Sequence, residues 1–138
     1  MNVLFVCVAN SGRSVMAERI FRARLGEDVA RSAGSDPGAS VHPVVLDALA
    51  ELGIDASDHV PQRLEAPLIA WADVIVATCD DACPVVPGKR YVQWQLADPK
   101  GRPIDEVRAI RDEVAARVDA LLAELGDAEG EQVGHLGD

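Results

Sequence analysis

The stretch Val3-Leu4-Phe5-Val6 runs without a break into Cys7-Val8-Ala9-Asn10-Ser11-Gly12-Arg13, and from Ser14 onward the apolar residues change period. A short β-branched and aromatic run reads as a buried strand. Met16, Ala17, Ile20, Phe21 and Leu25 then share one face of a helix. The intervening residues must therefore form a strand-to-helix loop, which constrains the chain to begin as a βα unit. In such a loop successive backbone N–H groups and the positive end of the helix dipole point into one concavity, where a tetrahedral oxyanion binds.

The residue types in this loop are those an oxyanion-transfer site requires. Cys7 stands on its rim, and a thiol of ordinary value ~8.5 placed at a helix N-terminus beside a cation is expected as a thiolate nucleophile. Arg13 supplies a planar fork for two oxygens. Ser14 is placed to donate its hydroxyl to the sulfur. Asn10 is expected to hold the loop through bonds to its own backbone, and Gly12 to permit close backbone approach to the anion. Val8, Ala9, Asn10, Ser11, Gly12, Arg13 and Ser14 are thus the expected oxyanion-binding residues. The competing reading of Cys7 is a buried structural thiol at a strand end.

Strands and helices alternate along the rest of the chain, which implies an α/β fold with a parallel sheet covered on both faces. The second strand is read around Asp28 to Ala33, the third at Asp73 to Thr78, and the fourth, with interleaved polar residues suited to an edge, at Arg90 to Gln95. Pro43 opens a second helix in which Val45, Leu49 and Leu52 repeat. Gly53 closes it, with Ile54 following. The last helix starts near Pro103, buries Ile104, Val107, Ile110, Val114, Val118, Leu121 and Leu125, and is expected to stop at Gly126. Residues 1–126 then form one domain, and the acidic, glycine-rich residues 127–138 a flexible tail. His42 is expected at the start of the second helix, and Trp71 and Trp94 in packing roles.

At 138 residues one core suffices. Thirteen basic against twenty-three acidic residues leave a net charge of −10, which argues against nucleic acid and anionic membranes as partners. The anion site must be positive locally. No apolar stretch approaches the ~20 residues of a membrane span, and the N-terminus lacks a basic leader. The expected location is the cytoplasm, where three thiols are reduced at rest.

Ligands of open parallel sheets bind beyond the carboxyl ends of the strands. Cys7 follows strand one and Cys79 follows strand three, so both thiols emerge on one edge of the sheet. Cys83 lies four residues beyond Cys79, in a Pro- and Gly-punctuated stretch read as a loop. Two thiols able to pair and a third acting as nucleophile suit a thiol relay. The alternatives are a buried strand-end Cys79 with an incidental Cys83, and a metal site. For the latter, Cys-x3-Cys with scattered His42, His59 and His135 lacks a zinc pattern. Neither a metal nor a cofactor is expected.

Cys7, Arg13, Ser14, Met16, Ala17 and Glu18 resemble the signature of the low-molecular-weight protein tyrosine phosphatase superfamily. So do Ser32-Ala33-Gly34, Val41-His42-Pro43, Leu52-Gly53-Ile54-Asp55 and Asp98-Pro99. The resemblance implies a four-stranded parallel sheet flanked by helices, with Asp98 as general acid. The stretch Thr78-Cys79 through Cys83-Pro84, with Pro87-Gly88-Lys89, Trp94 and Asp98-Pro99, is similar to the thiol-coupled arsenate reductases of that superfamily. That implies reduction of arsenate, with phosphate as competing oxyanion. Cys79 and Cys83 would form the relay, and thioredoxin or a mycothiol-type thiol would be the reductant. One departure is that only three residues separate Cys79 from Cys83, where those reductases usually have more. The alternative activity is hydrolysis of phosphotyrosine or small phosphate esters through Cys7, Arg13 and Asp98. Against it, aromatic residues make up only 4% of the chain, and Lys100-Gly101 follow Asp98-Pro99 where the phosphatases usually place aromatics. Glu18 is expected to complement the helix dipole or, as the resemblance implies for some relatives, to lie near a monovalent cation.

Overall fold

Alternation of buried positions along β1 (Val3–Cys7) sorts the core into two layers. Val3 and Phe5 face one side of the sheet and Leu4 and Val6 the other. The computed structural model describes residues 2–25, 29–78 and 89–137, with side chains through residue 126. After β1 the order is α1 (Arg13–Leu25), β2 (Ala30–Gly34), α2 (Pro43–Ala50), α3 (Ala66–Trp71), β3 (Val74–Ala77), β4 (Arg90–Gln93) and α4 (Ile104–Gly137). The four strands form one parallel sheet in the order β2-β1-β3-β4. Strand order therefore reverses between β1 and β3, which opens a crevice at their carboxyl ends.

Each face is closed by residues of matching period. Met16, Ile20 and Phe21 of α1, Val45 and Leu49 of α2, and Val107, Val114, Val118 and Leu121 of α4 pack on the Val3–Phe5 side. Phe5 meets Phe21 edge-on at 5.7 Å between ring centres, and Trp94 at 5.8 Å. On the other side Leu64, with Leu68, Ile69 and Trp71 of α3, covers Leu4, Val6 and Ile75. Both tryptophans pack as expected, and Trp71 also carries the Arg31 guanidinium 4.5 Å from its ring centre.

The C-terminus of α2 follows its sequence signals closely. Gly53 takes φ +76°, its N–H bonds the Ala50 carbonyl, and the Ile54 N–H bonds that of Leu49, the paired bonds of a Schellman turn. His42 is the residue preceding the helix, with no side-chain cap bond of its own.

Several expectations need correction. Leu25, placed on the buried face of α1, is 47% exposed, because it is the helix's last residue. Leu52, read as part of the buried repeat of α2, is also exposed, since it lies in the closing turn after the helix ends at Ala50. The helical backbone of α4 runs past Gly126 to Gly137. A glycine inside a helix costs only about 1 kcal/mol relative to alanine, and Ala128, Glu129, Glu131 and Gln132 beyond it are good helix formers. The helix α3 was not read from sequence at all. Cys79 and Cys83 lie at positions outside the described residues.

Candidate active site

The loop between β1 and α1 is turned inside out by its neighbours. The carbonyls of Cys7, Val8, Ala9 and Ser11 accept, in order, the N–H groups of Ser35, Asp36, Gly38 and His42, at 2.8–3.2 Å. The Gly12 carbonyl accepts the Met16 N–H at 2.9 Å as the first turn of α1. With the carbonyls drawn outward, the N–H groups of Val8, Ala9, Ser11, Gly12 and Arg13 donate to no acceptor among the described residues. They are left for an anion. Gly34, at the end of β2, makes this wrap possible: a Cβ there would stand 2.4 Å from the Val8 carbonyl oxygen and 3.0 Å from the Asn10 nitrogen.

Cys7 is 3% exposed and lines a cavity of about 440 Å³ together with Arg13, His42, Asp98 and Lys100. The Asn10 N–H donates to Sγ at 3.1 Å, and the Ser14 hydroxyl lies 2.9 Å from it. The direction of that second bond follows from the hydrogen bonds around it. Asn10 Oδ1 accepts the backbone N–H of Gln62 at 3.0 Å, so the other end of the amide is the donor, and Nδ2 gives its proton to Ser14 Oγ at 2.8 Å. Ser14 Oγ, with one lone pair so taken, gives its own proton to the sulfur when Cys7 is a thiolate, the state in which the sulfur has no proton to donate. Cys7 thus receives two donors, as a nucleophilic sulfur requires.

His59 Nε2 stands 3.0 Å from the same Asn10 oxygen and must donate to it. Burial pushes the His59 ring below the usual imidazole range despite the Glu18 carboxylate nearby, so the neutral Nε2–H form occupies this position. Asn10 itself takes φ 51°, a conformation that Asn tolerates better than most residues.

Arg13 is fixed from the far side. Its Nη1 donates to the Leu96 carbonyl at 3.2 Å, and Nη2 lies 3.9 Å from Asp98 Oδ2. Asp98 is 56% exposed at the mouth of the cavity, and its Oδ1 accepts the Lys100 N–H at 3.0 Å. Cys7, Arg13, Ser14 and Asp98 are brought together as expected. No phenylalanine, tyrosine or tryptophan appears among the described lining residues.

The chain enters the undescribed positions 79–88 from Thr78, whose N–H and hydroxyl both donate to the Val6 carbonyl, at 2.8 and 2.9 Å. That anchor lies one residue before Cys7. At the other end, Lys89 Nζ donates to the Ala72 and Ala70 carbonyls at the close of α3.

Two expectations about the loop change. Asn10 does not bond its own loop through its side chain but reaches Gln62, His59 and Ser14. Glu18 is not a dipole-complementing surface carboxylate. It is buried, accepts the Ser32 hydroxyl at 2.6 Å, and faces Arg19 Nε at 3.0 Å and Arg22 Nε at 3.5 Å. The compensating charge at Glu18 comes from the chain's own arginines. The sequence carried no signal for His59 or Gln62, which lie 49 and 52 residues from Asn10 in an aperiodic stretch.

The sequence is 31% identical over 123 residues to arsenate reductase 2 of Staphylococcus haemolyticus, covering 86% of this chain and 94% of that one. A thioredoxin-dependent arsenate reductase of Corynebacterium glutamicum superposes with a TM-score of 0.78 at 36% identity. That match covers 92% of this chain, which spans 62% of the length of its counterpart. An arginine phosphatase from Geobacillus stearothermophilus superposes with a TM-score of 0.82 at 28% identity, covering 94% of this chain and 96% of its own. Residues 2–131 match the low molecular weight phosphotyrosine protein phosphatase family, and the chain belongs to that family.

Proposed function

We propose that this chain reduces arsenate to arsenite, using Cys7 as nucleophile and Cys79 and Cys83 as a thiol relay. The observation that carries the reading is the sulfur of Cys7 holding two donors at a cavity lined by Arg13 and Asp98. Its redox half is supported by the anchoring of Thr78, the last described residue before Cys79, on the carbonyl of Val6, the neighbour of Cys7. The arsenate reductases among the relatives support it too.

The steps balance as follows. The Cys7 thiolate attacks arsenic(V), an As–S bond forms, and Asp98 protonates the departing oxygen, which leaves as water. Arg13 and the loop amides hold the remaining oxygens. The Cys79 thiolate then attacks the sulfur of Cys7. The As–S electron pair stays with arsenic, which leaves as arsenite in the +3 state. Cys83 attacks Cys79, frees Cys7 and leaves a Cys79–Cys83 disulfide. An external thiol reductant restores it: thioredoxin, or a low-molecular-weight thiol of the mycothiol type. Such a cycle needs a compartment that keeps thiols reduced, as the cytoplasm does. Phosphate, nearly isosteric with arsenate, competes for the same cavity.

Arsenate-dependent oxidation of reduced thioredoxin tests this directly. Cys7→Ser, Cys79→Ser and Cys83→Ser should each lose nearly all turnover, and the Cys83→Ser protein should trap a Cys7–Cys79 disulfide. If Cys7→Ser alone is inactive and phosphate esters are hydrolysed efficiently, the chain is a phosphatase acting through Cys7, Arg13 and Asp98. The fit to the arginine phosphatase fold supports this second reading, which the arsenate reductases among the relatives make the weaker of the two.

A further inference from the structure

Gly12 touches the segment that carries Asp98, and it does so through an atom it lacks. A Cβ on Gly12 would stand 2.8 Å from Cγ and 3.4 Å from Cδ of Pro99. Its next neighbour, Cδ2 of His42 at 3.5 Å, is an ordinary contact. Conformational freedom does not explain the glycine. Asn10, not Gly12, is the loop residue with positive φ, so an alanine at position 12 would meet no backbone penalty of that kind.

The geometry points to Gly12 as a positioning residue for Asp98, its bare α-carbon forming the seat on which the Pro99 ring lies. This rests on the general-acid role assigned above to Asp98. The carboxyl group has little else to place it: it is over half exposed, held by the Lys100 N–H and facing Arg13 Nη2 at 3.9 Å. Its location therefore follows the backbone of the strap from Leu96 to Arg102. That strap grips itself through Arg102, whose Nε donates to the Asp98 carbonyl at 2.7 Å and whose N–H donates to that of Pro99 at 3.1 Å. Gly101, at φ +73°, makes the turn. The strap meets the anion loop at two neighbouring residues, through the Arg13 bond to the Leu96 carbonyl and the Pro99 ring on Gly12.

The size of the effect follows from the contact. Ordinary packing begins near 3.4 Å, so a methyl group at position 12 forces the Pro99 ring outward by about half an ångström. A pyrrolidine ring can take up part of this by puckering at Cγ, but it cannot swing aside as a long side chain does, and what the pucker does not absorb is passed to its backbone. A general acid must stand within roughly 2.6–3.2 Å of the oxygen it protonates, a window of similar width. A shift of that size reaching the Asp98 backbone takes the carboxyl out of it.

Gly12→Ala, Pro99→Ala, the double variant and Asp98→Asn test the inference, with thermal unfolding checked for each. Arsenate turnover with reduced thioredoxin is followed alongside hydrolysis of phenyl and para-nitrophenyl phosphate. Gly12→Ala should lower kcat at least tenfold and leave inhibition by phosphate within about threefold. It should also impair phenyl phosphate more than the para-nitrophenyl ester, whose leaving group needs less protonation. Pro99→Ala removes both crowded atoms, so the double variant should regain most of the activity that Gly12→Ala loses. Gly12→Ala with unaltered kcat beside an impaired Asp98→Asn overturns the inference alone. The same holds if phosphate affinity collapses or if the double variant is no better than Gly12→Ala. An Asp98→Asn protein with full kcat, or an unaltered chain inactive toward all three substrates, overturns the site reading and this inference with it.

Discussion

Replacing one atom should reverse the hydrogen-bond chain that ends at the sulfur of Cys7. In Asn10→Asp the acceptor Oδ1 that serves Gln62 and His59 is kept, while the Nδ2 donor facing Ser14 Oγ at 2.8 Å becomes an oxygen. Aspartate tolerates the φ of 51° much as asparagine does, so the backbone has no reason to move. Ser14 must then donate to the new carboxylate, and Cys7 loses the bond from the Ser14 hydroxyl, whose Oγ lies 2.9 Å from Sγ. One hydrogen bond to a charged group contributes about 1.5–3 kcal/mol. At 1.36 kcal/mol per factor of ten, turnover should fall roughly 10- to 150-fold, with added loss from the carboxylate's repulsion of an incoming anion. The assay is steady-state arsenate reduction coupled to thioredoxin oxidation, with thermal unfolding to confirm an intact fold. A folded Asn10→Asp enzyme turning over within twofold of the original would refute the bond directions assigned to Asn10 and Ser14.

Three other changes are as specific. Gly34→Ala should remain largely folded but lose about 1–3 kcal/mol of stability and much of its phosphate affinity, as judged by unfolding and competitive inhibition, because its Cβ meets the Val8 carbonyl at 2.4 Å. Glu18→Ala removes the buried carboxylate shared by Arg19 and Arg22 and the acceptor of the Ser32 hydroxyl, while Arg19 keeps Asp58 at 2.9 Å and Arg22 the Ala30 carbonyl, so urea unfolding should show a loss of about 1–3 kcal/mol. Glu51 links α2 to α4 through Arg108 and Arg111, whose hydrogen bonds hold its carboxyl at about 2, below an ordinary 4.5. A carboxyl lowered on folding adds stability above its unfolded value, and that contribution disappears as pH falls from about 4.5 toward 2. Glu51→Gln should flatten the unfolding-midpoint profile across that window and leave it unchanged in shape near neutrality; an unaltered acid slope would show that the carboxylate does not act in this way.

What was legible in the sequence, and what was not, divides along the reach of each interaction. β1, α1, the closing turn of α2 and the buried stripe of α4 were readable because period, capping and turn chemistry are local. The six residues of α3 were not, since a helix of that length shows too little periodicity. Its place is set by Leu68, Ile69 and Trp71 covering the second sheet face. The site divides in the same way. Cys7, Arg13 and Ser14 fall within one turn of chain, so their meeting needs only the strand-loop-helix context. Asn10 was recognised as a loop holder with the wrong partners, because a side-chain amide can serve its own turn or a distant backbone equally well. Only the return of residues 59–62 beside β2 decides between them. Glu18 shows the same limit from the other side: as the fifth residue after the loop glycine-arginine pair it reads as a surface charge, until β2 brings Ser32 against it.

That division also explains why the glycines were harder to read than the thiol. A cysteine declares its chemistry by itself, whereas a glycine declares only an absence, and what fills the space comes from elsewhere in the chain. Gly53 was readable because its task is conformational and local, as its φ of +76° bears out. Gly12 and Gly34 both keep ordinary φ and are required by what lies against them: Pro99, 87 positions later, and the loop carbonyl of Val8. The glycine next to Arg13 reads from sequence as a contact for the bound anion. Its close neighbour in the fold is the ring beside the proposed acid, so one position links the loop proposed to bind the oxyanion to the strap proposed to protonate its departing oxygen.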